Sequence, residues 1–316
     1  MLSEISIEIL QRCPNRCIYC SSHSNPQATH IISFEIIKNI IDDAKCLGCK
    51  TVCLSGGEPF LHPQILDIIS YIAKKQLTCY VYTSGIYMKD EIYSSLPNEY
   101  IEAIRGMVDK VIFNVEADSS ALYDQIMGTD VGGFDMMKKS ISDCVSSGLV
   151  VETHVVPMQV NFKHLKSIFE MCYQLGVSKV SVLRLVLQGR ALENLSIVKL
   201  SGEDNREVTK LIKTLNEAYQ GKVRIGLPYS ESNCRIYCKA ASDKINVRYD
   251  GNIYPCEVFK DDLLNAKLGC EPDNVWKDSF YDIYKSSPYL NVVRRRIEAF
   301  KKEDGDETCY GQFKMK

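Results

Sequence analysis

The sequence predicts an α/β fold in which six strand–helix units form an open, curved sheet, a partial (β/α)6 barrel, followed by a small α+β domain. Short apolar runs alternate with amphipathic helical periods from residue 5 to about residue 190. This alternation is typical of parallel strands joined by right-handed helical crossovers. Six units fall short of the eight that close a complete barrel. We therefore place a first domain at residues 1–195, a linker helix region at 196–222 and a second domain at 223–316.

The elements of the first domain follow from the spacing of its apolar residues. Strands are predicted at residues 5–10, 51–55, 78–83, 110–115, 150–156 and 179–186. Helices are predicted at residues 34–47, 63–75, 89–105, 135–147 and 162–175. Ser33 is suited to cap the first helix, and Gly176 is suited to end the last one in a left-handed conformation.

The second domain has a different pattern of strands and helices. Residues 244–249 and 252–258 flank Asp250-Gly251, a dipeptide that strongly favours a β-hairpin turn. Helical periods follow at residues 273–284 and 288–302. We therefore expect a hairpin followed by two helices.

Composition and charge exclude several classes of protein. The chain of 316 residues is 45% hydrophobic and 25% charged, with a formal net charge of -2. These values exclude disordered, collagen-like and coiled-coil chains and provide no positive field for nucleic acid or an anionic membrane. The sequence has neither a signal peptide nor a run of about 18 apolar residues. We therefore expect a cytoplasmic protein with no nucleic-acid or membrane partner, whose 14 cysteines are metal ligands or buried thiols rather than disulfides.

Three cysteines stand close together directly after the first predicted strand. Cys13, Cys17 and Cys20 have the spacing C-x3-C-x2-C. Three thiolates on one loop suit an iron–sulfur cluster, or zinc with His23 as a fourth ligand. The loop lies at the carboxyl end of a strand, where α/β proteins usually place their active sites.

A second motif makes the first more specific. Tyr19 precedes the last cysteine of the loop, and the second strand ends in Ser55-Gly56-Gly57-Glu58-Pro59. Together the cysteine triplet and this GGEP sequence resemble the radical S-adenosylmethionine (SAM) superfamily, over about residues 5–190. The resemblance implies that Cys13, Cys17 and Cys20 hold a [4Fe–4S] cluster whose unliganded iron binds SAM. Reductive cleavage of SAM would then give a 5′-deoxyadenosyl radical that takes a hydrogen atom from the substrate.

The same resemblance implies a set of SAM-binding residues at the strand ends. They are Tyr19, Gly56, Gly57, Glu58, Pro59, Thr83, Ser84, Asn114, Glu116 and Arg184. Gly56 and Gly57 allow a close backbone approach, and Glu58 favours the amino group of SAM. Thr83 and Ser84 correspond to ribose contacts, although an ordinary turn explains them equally well.

Strands four and six supply the remaining predicted contacts. Alternation along strand four places Asn114 and Glu116 on one face. Arg184 stands in an apolar run, where a guanidinium needs an anionic partner. That partner is either the SAM carboxylate or a buried glutamate, Glu116 or Glu58. The chain departs from the family pattern at Met127, because relatives often carry an arginine there.

A second cysteine group lies in the C-terminal domain. Cys234, Cys238, Gly251 and Cys256 are similar to the opening of a SPASM/Twitch extension, which implies a second, auxiliary [4Fe–4S] cluster. The dense cysteine run of a full SPASM domain is missing, so the shorter Twitch type fits better. Its predicted ligands are Cys234, Cys238, Cys256 and Cys309, with Cys270 in reserve. Zinc and unligated thiols are the alternatives, and Cys270 is also a candidate hydrogen-atom donor.

Three functions are consistent with these motifs. The first is a radical SAM enzyme that modifies a peptide, supplied with electrons by a donor such as flavodoxin or ferredoxin. The second is radical dehydrogenation or rearrangement of a small molecule in cofactor or natural-product biosynthesis. The third, of another class, is a non-catalytic zinc or iron–sulfur module. The chain starts about a dozen residues before Cys13, so we expect no fused domain that binds a leader peptide.

Overall fold

The computed structural model describes residues 1–129, 131–226, 238–260 and 262–303. The strands are β1 (Glu4–Leu10), β2 (Thr51–Gly56), β3 (Thr78–Thr83), β4 (Ile86–Lys89), β5 (Ile92–Ser95), β6 (Lys110–Asn114), β7 (Val151–Val155), β8 (Lys179–Val182), β9 (Val223–Ile225), β10 (Lys244–Val247) and β11 (Ile253–Tyr254). The helices are α1 (Phe34–Cys46), α2 (Ile65–Lys74), α3 (Asn98–Ile104), α4 (Ser120–Met127), α5 (Gly133–Ser146), α6 (Leu165–Gln174), α7 (Arg190–Glu193), α8 (Leu195–Val198), α9 (Gly202–Ala218), α10 (Asp262–Leu268), α11 (Phe280–Ser286) and α12 (Pro288–Glu303).

One sheet organises the molecule. Over the described ranges it has nine strands in the order β11-β10-β1-β2-β3-β6-β7-β8-β9. Neighbouring strands pair in parallel except β10 and β11, which are antiparallel. The six strands predicted for the first domain are β1, β2, β3, β6, β7 and β8, so the α/β class and the open (β/α)6 arrangement are confirmed.

The sheet continues across the predicted domain boundary. Strand β10 pairs with β1 in parallel, with Glu4 opposite Lys244 and Ile7 opposite Val247. The C-terminal residues therefore extend the edge of the first sheet, and the predicted hairpin supplies two of its strands. The division at residues 195 and 223 stays a prediction.

Several elements differ from the sequence-based assignment. The strand predicted over residues 179–186 ends at Val182, so Arg184 lies beyond it. The helix predicted over residues 273–284 begins only at Phe280. The prediction of a helix over residues 89–105 was wrong at its start. Residues 86–95 form the antiparallel hairpin β4–β5, and the helix α3 begins only at Asn98. The hairpin turns at Asp90 and Glu91, which adopt φ values of 50° and 62°. Helix α4, between β6 and α5, was not predicted.

The two faces of the sheet have different chemistry, and this difference positions the site. Along β1, Ile5, Ile7 and Ile9 are fully buried in the hydrophobic core, under helices such as α1 that present apolar faces to the sheet. The alternate residues Glu4, Ser6 and Glu8 line a cavity on the opposite face. The concave face of the sheet is therefore polar and is available to a ligand.

Among residues that the structure describes, none of the helices is both long and apolar enough to cross a membrane.

Candidate active site

A cavity of about 620 Å³ fills the concave side of the sheet. The predicted residues that line it are Cys13, Cys17, Tyr19, Cys20, Gly56, Gly57, Thr83, Ser84, Asn114 and Arg184. They come from the carboxyl ends of β1, β2, β3, β6 and β8, which meet at one edge because the strands are parallel. Three other predicted residues, Glu58, Pro59 and Glu116, lie buried behind this lining.

The cysteine loop places Cys13 in the interior, with Cys17 and Cys20 partly buried beside it. Burial, together with Cys17 and Glu58, raises the pKa of Cys13 well above its usual value. Burial and Cys20 raise the pKa of Cys17 to about 12. Thiols in such surroundings are protonated at neutral pH, and a bound metal is what converts cysteine to its thiolate. The loop is therefore suited to a metal centre rather than to a free nucleophile.

Two observations test whether a cluster fits. The side chains of Asn15 and Ser24 are buried beside the cysteines, and the hydroxyl of Ser24 has no hydrogen-bond partner in the described part of the chain. Over the same residues, no three His, Cys, Asp or Glu side chains stand close enough to share a single metal ion. The three thiols line one cavity, and their number and softness suit a [4Fe–4S] cluster.

The alternative zinc site with His23 is not supported. His23 is exposed, and its Nδ1 lies 3.8 Å from Glu193 Oε1. Its side chain does not line the cavity that the three cysteines share. The fourth ligand that a closed zinc site requires is therefore not supplied by this histidine.

Helix α4, which sequence reasoning missed, supports the cysteine loop from one side. The backbone N–H groups of Arg16 and Ile18 donate to the carbonyls of Met127 and Ile126, at 2.8 and 2.9 Å. Met127 Sδ lies 3.3 Å from Cys17 Sγ. At the position where relatives often carry arginine, this chain thus places a thioether against a predicted cluster ligand.

The GGEP sequence packs the carboxyl end of β2 against the carboxyl end of β1. A Cβ on Gly57 would stand 2.0 Å from the carbonyl oxygen of Arg12, and one on Gly56 would stand 2.3 Å from that of Leu10. The N–H groups of Gly57 and Glu58 donate to those same carbonyls, of Leu10 and Arg12, at 2.7 and 2.8 Å. Glycine is therefore required by the backbone that carries Cys13, whatever ligand is bound.

Glu58 organises the exit of β3. Its carboxylate accepts from Thr83 Oγ1 at 2.8 Å, from the Ser84 N–H at 2.8 Å and from Ser84 Oγ at 2.7 Å. Burial raises its pKa, against the lowering effect of these donors. Thr83 and Ser84 therefore stand between Glu58 and the cavity, and the direct contact of Glu58 with the SAM amino group stays a prediction.

Glu116 anchors the cysteine loop rather than lining the cavity with Asn114. Strand β6 ends at Asn114, so the alternation used to place both residues on one face does not continue. Tyr19 Oη donates to Glu116 Oε1 at 3.1 Å, and the Val156 N–H donates to Oε2 at 2.8 Å. Burial raises the pKa of Glu116 to about 8.

The second cysteine group is described only in part, because Cys234 and Cys309 lie outside the described residues. Cys238 and Cys256 are half-buried and pack against the core. Cys256 follows β11. Burial raises the pKa of Tyr289, and the nearby thiols of Cys256 and Cys270 add to this effect. Cys270 does not line the cavity. This location suits the predicted reserve ligand, and its role as a hydrogen-atom donor stays a prediction.

Comparisons with protein families agree with this geometry. Residues 7–172 match the Radical SAM superfamily, and residues 238–311 match SPASM, an iron–sulfur cluster-binding domain. The chain is 24% identical to the antilisterial bacteriocin subtilosin biosynthesis protein AlbA of Bacillus subtilis, over 96% of this chain and 64% of that protein. It is 24% identical to the PqqA peptide cyclase of Methylocella silvestris, over 91% of this chain and 75% of the cyclase.

Solved structures share the fold. Streptococcus suis SuiB bound to its precursor peptide SuiA superposes with a TM-score of 0.74 at 13% identity, covering 99% of this chain and 76% of SuiB. The protein anSMEcpe with bound AdoMet gives a TM-score of 0.68 at 14% identity, covering 96% of this chain and 86% of that one. At these identities the likeness concerns the fold alone.

Proposed function

The chain belongs to the radical SAM superfamily, and we propose that it directs radical chemistry at a peptide substrate. It is an enzyme whose cofactors are a [4Fe–4S] cluster and SAM, and its C-terminal domain adds auxiliary iron–sulfur chemistry. The observation that carries the proposal is the polar cavity in which Cys13, Cys17 and Cys20 stand beside the exits of four other parallel strands. The names of two relatives, the bacteriocin subtilosin biosynthesis protein AlbA and the PqqA peptide cyclase, support a peptide as substrate.

The cofactors supply the difficult step, and the protein supplies binding and orientation. When bound, the reduced cluster and SAM provide a 5′-deoxyadenosyl radical that abstracts hydrogen from the substrate. Cys13, Cys17 and Cys20 would hold the cluster. The backbone at Gly56 and Gly57 would receive the amino acid part of SAM, with Ser84 and Asn114 beside it.

Arg184 would bind the carboxylate of SAM. It lines the cavity, and Met127 occupies the position from which relatives often present an arginine. A guanidinium can engage a carboxylate through two parallel hydrogen bonds. Substitution of Arg184 should therefore weaken SAM binding more than it lowers cluster content.

An auxiliary cluster would be held by Cys234, Cys238 and Cys256, with Cys309 or Cys270 as the fourth ligand. Glu257, the residue after Cys256, lines the cavity. A cluster on Cys256 would therefore lie beside the space that receives the substrate, where it could accept an electron from a substrate radical.

We also propose an electron donor and a cellular location, from the charge beside Cys13 and from the state of the cysteines. Arg12 and Arg16 are exposed on either side of Cys13, so an acidic one-electron carrier such as flavodoxin or ferredoxin could dock beside the cluster. In the described residues the cysteines are free thiols. Free thiols together with a low-potential cluster favour the reducing environment of the cytoplasm.

The function is tested by anaerobic reconstitution with iron and sulfide, followed by reduction in the presence of SAM. We expect about eight irons per chain, from two cubane clusters, and formation of 5′-deoxyadenosine. The variants C13A, C17A and C20A should each lose SAM cleavage, whereas C46A, at an exposed thiol on α1, should retain it. SAM cleavage that persists in any of the three variants would contradict the assignment.

A small molecule is the second candidate substrate, because the cavity volume of about 620 Å³ lies within the range of about 300–1,000 Å³ usual for small-ligand sites. Fractions of a cell extract, separated by size and added to the enzyme, distinguish a peptide substrate from a small-molecule substrate. Stimulation of 5′-deoxyadenosine formation by a large fraction, abolished by protease treatment of that fraction, supports a peptide. Stimulation by a protease-resistant small fraction supports the alternative.

A further inference from the structure

A short helix after β8, α7, also contacts the cysteine loop that α4 supports. Arg190, the first residue of α7, donates from Nε to the carbonyl oxygen of Cys17 at 2.8 Å and from Nη2 to that of Ser24 at 2.8 Å. Its backbone N–H donates to the carbonyl oxygen of Cys20 at 3.0 Å. One residue therefore contacts the backbone of two predicted cluster ligands and the end of their loop.

Neighbouring residues confirm that this contact is close and specific. Asn194 Nδ2 donates to the carbonyl oxygen of Ile18 at 3.2 Å. At Gly189, which has a φ of 53°, a Cβ would stand 2.5 Å from the carbonyl oxygen of Cys20. The chain thus places a glycine where α7 approaches the loop most closely, and a guanidinium directly after it.

Arg190 also brings a positive charge to the cluster ligands. Its guanidinium Nε lies 2.8 Å from the carbonyl oxygen of Cys17, so the charge stands at the backbone of a predicted cluster ligand. A reduced cluster carries one more negative charge than an oxidised one, so a cation at this place stabilises the reduced form.

We propose that Arg190 is a positioning residue that fixes the cysteine loop through its carbonyl groups and raises the reduction potential of the cluster. This inference rests on the proposed function, because it concerns the cluster that Cys13, Cys17 and Cys20 would hold. It assigns to a residue outside both motifs the task of making the cluster reducible. Without that charge, a given electron donor would load fewer electrons onto the cluster.

Two variants separate charge from hydrogen bonding. R190K keeps the charge, and R190Q keeps a neutral donor. R105M, at an exposed arginine that pairs with Glu102 on α3, is the matched control. The full chain is reconstituted anaerobically, its reduced cluster is titrated by electron paramagnetic resonance against a dye-buffered potential, and its iron is measured before and after exposure to a chelator.

We expect R190Q to lower the ratio of reduced to oxidised cluster at a fixed potential by about tenfold, or about 59 mV for a one-electron couple. R190K should titrate close to wild type, and both variants should release iron to the chelator faster than R105M. Equal potentials for R190K and R190Q, or iron release no faster than in R105M, would overturn the role of Arg190. A wild-type chain that loads no cluster would instead contradict the proposed function itself.

Discussion

Two buried carboxyl groups accept hydrogen bonds from residues around the cavity and so fix the positions of those residues. Glu58 receives the hydrogen bonds of Thr83 and Ser84 at the exit of β3, and Glu116 receives those of Tyr19 and Val156. A buried carboxyl group is costly unless donors surround it. These two residues therefore help to position the cysteine loop and the carboxyl ends of the strands through the hydrogen bonds that they accept.

Glu116 should make the stability of the fold depend on pH. Burial raises its pKa to about 8 in the folded chain, whereas an unfolded glutamate titrates near 4.3. Between these values the unfolded state has released its proton and the folded state has not. The contribution of Glu116 is therefore fully present below about pH 4 and is lost as pH rises toward 8, by at most about 1.4 kcal/mol per pH unit.

Urea unfolding of iron-free wild type and E116Q across this range measures the effect. The difference in the free energy of unfolding between the two should move in favour of E116Q as pH rises from 5 to 8. E102Q, at an exposed glutamate on α3, should show no such trend. If the free energies of unfolding of wild type and E116Q changed in parallel with pH, that result would contradict a raised pKa at Glu116.

At the level of secondary structure, the exits of β1 and β2 depend on the absence of a side chain. G57A would place a Cβ 2.0 Å from the carbonyl oxygen of Arg12, so the segment leading to Cys13 must move. Crowding of this kind costs about 1–3 kcal/mol or more. We expect a lower melting temperature and a reduced iron content after reconstitution.

G202A is the matched control for this substitution. Gly202 begins α9, has no atom within 4 Å of an added Cβ and has no positive φ. Alanine there should leave stability unchanged or slightly improved, because it reduces the freedom of the unfolded chain. Equal melting temperatures and iron contents for G57A and G202A would show that the two strand exits do not require glycine.

Much of this level of structure was predictable because the signals are local. The six central strands follow from apolar runs, and Ser33 caps α1 by accepting from the Ile36 N–H. The β4–β5 hairpin could not be predicted in this way. Its turn residues Asp90 and Glu91 have positive φ, yet this segment carries no Asn-Gly or Asp-Gly pair that would signal such a turn.

The candidate site was predictable where a motif is contiguous and not where it depends on tertiary contact. The cysteine triplet and Gly56-Gly57 come together as their motifs imply. Arg190 and Met127 reach the same loop from distant parts of the chain. Their contributions arise from packing, which no spacing in the sequence records.

At the level of the whole molecule, a buried ion pair joins the two halves of the chain. Lys260 Nζ lies 2.5 Å from Glu8 Oε1, and these side chains are 1% and 4% exposed. The hydroxyl of Ser22 donates to the same Glu8 oxygen at 2.9 Å, and Lys260 also pairs with Glu257. Together with the pairing of β10 with β1, this contact predicts that the two halves unfold together.

Unfolding monitored by two probes tests that cooperativity. Trp276 is the single tryptophan of the chain and reports on the C-terminal half, whereas far-ultraviolet circular dichroism reports on the whole fold. We expect the two urea transitions to coincide, as in a two-state process. A tryptophan transition at lower urea than the dichroism transition would mean that the halves unfold separately.

The substitution K260M measures how strongly the ion pair contributes to this coupling. Removing one partner leaves Glu8 buried without its cation, which costs about 3–5 kcal/mol in comparable pairs. K38M, at a surface lysine that pairs with Glu35 on α1, should change stability by at most about 0.5 kcal/mol. Both probes should shift together in K260M, because the contact spans both halves.

The pH dependence of K260M identifies Glu8 as the source of the loss. Burial already raises the pKa of Glu8, and Lys260 opposes that shift, so removal of the lysine should raise the pKa further. The folded variant then keeps Glu8 protonated while the unfolded chain ionises it, and the loss of stability grows as pH rises above about 4.3. The deficit should therefore be smaller at pH 5 than at pH 7, and the double variant E8Q/K260M should recover part of it. A deficit that is independent of pH and is not relieved by E8Q would place the cost in lost packing of the lysine chain instead.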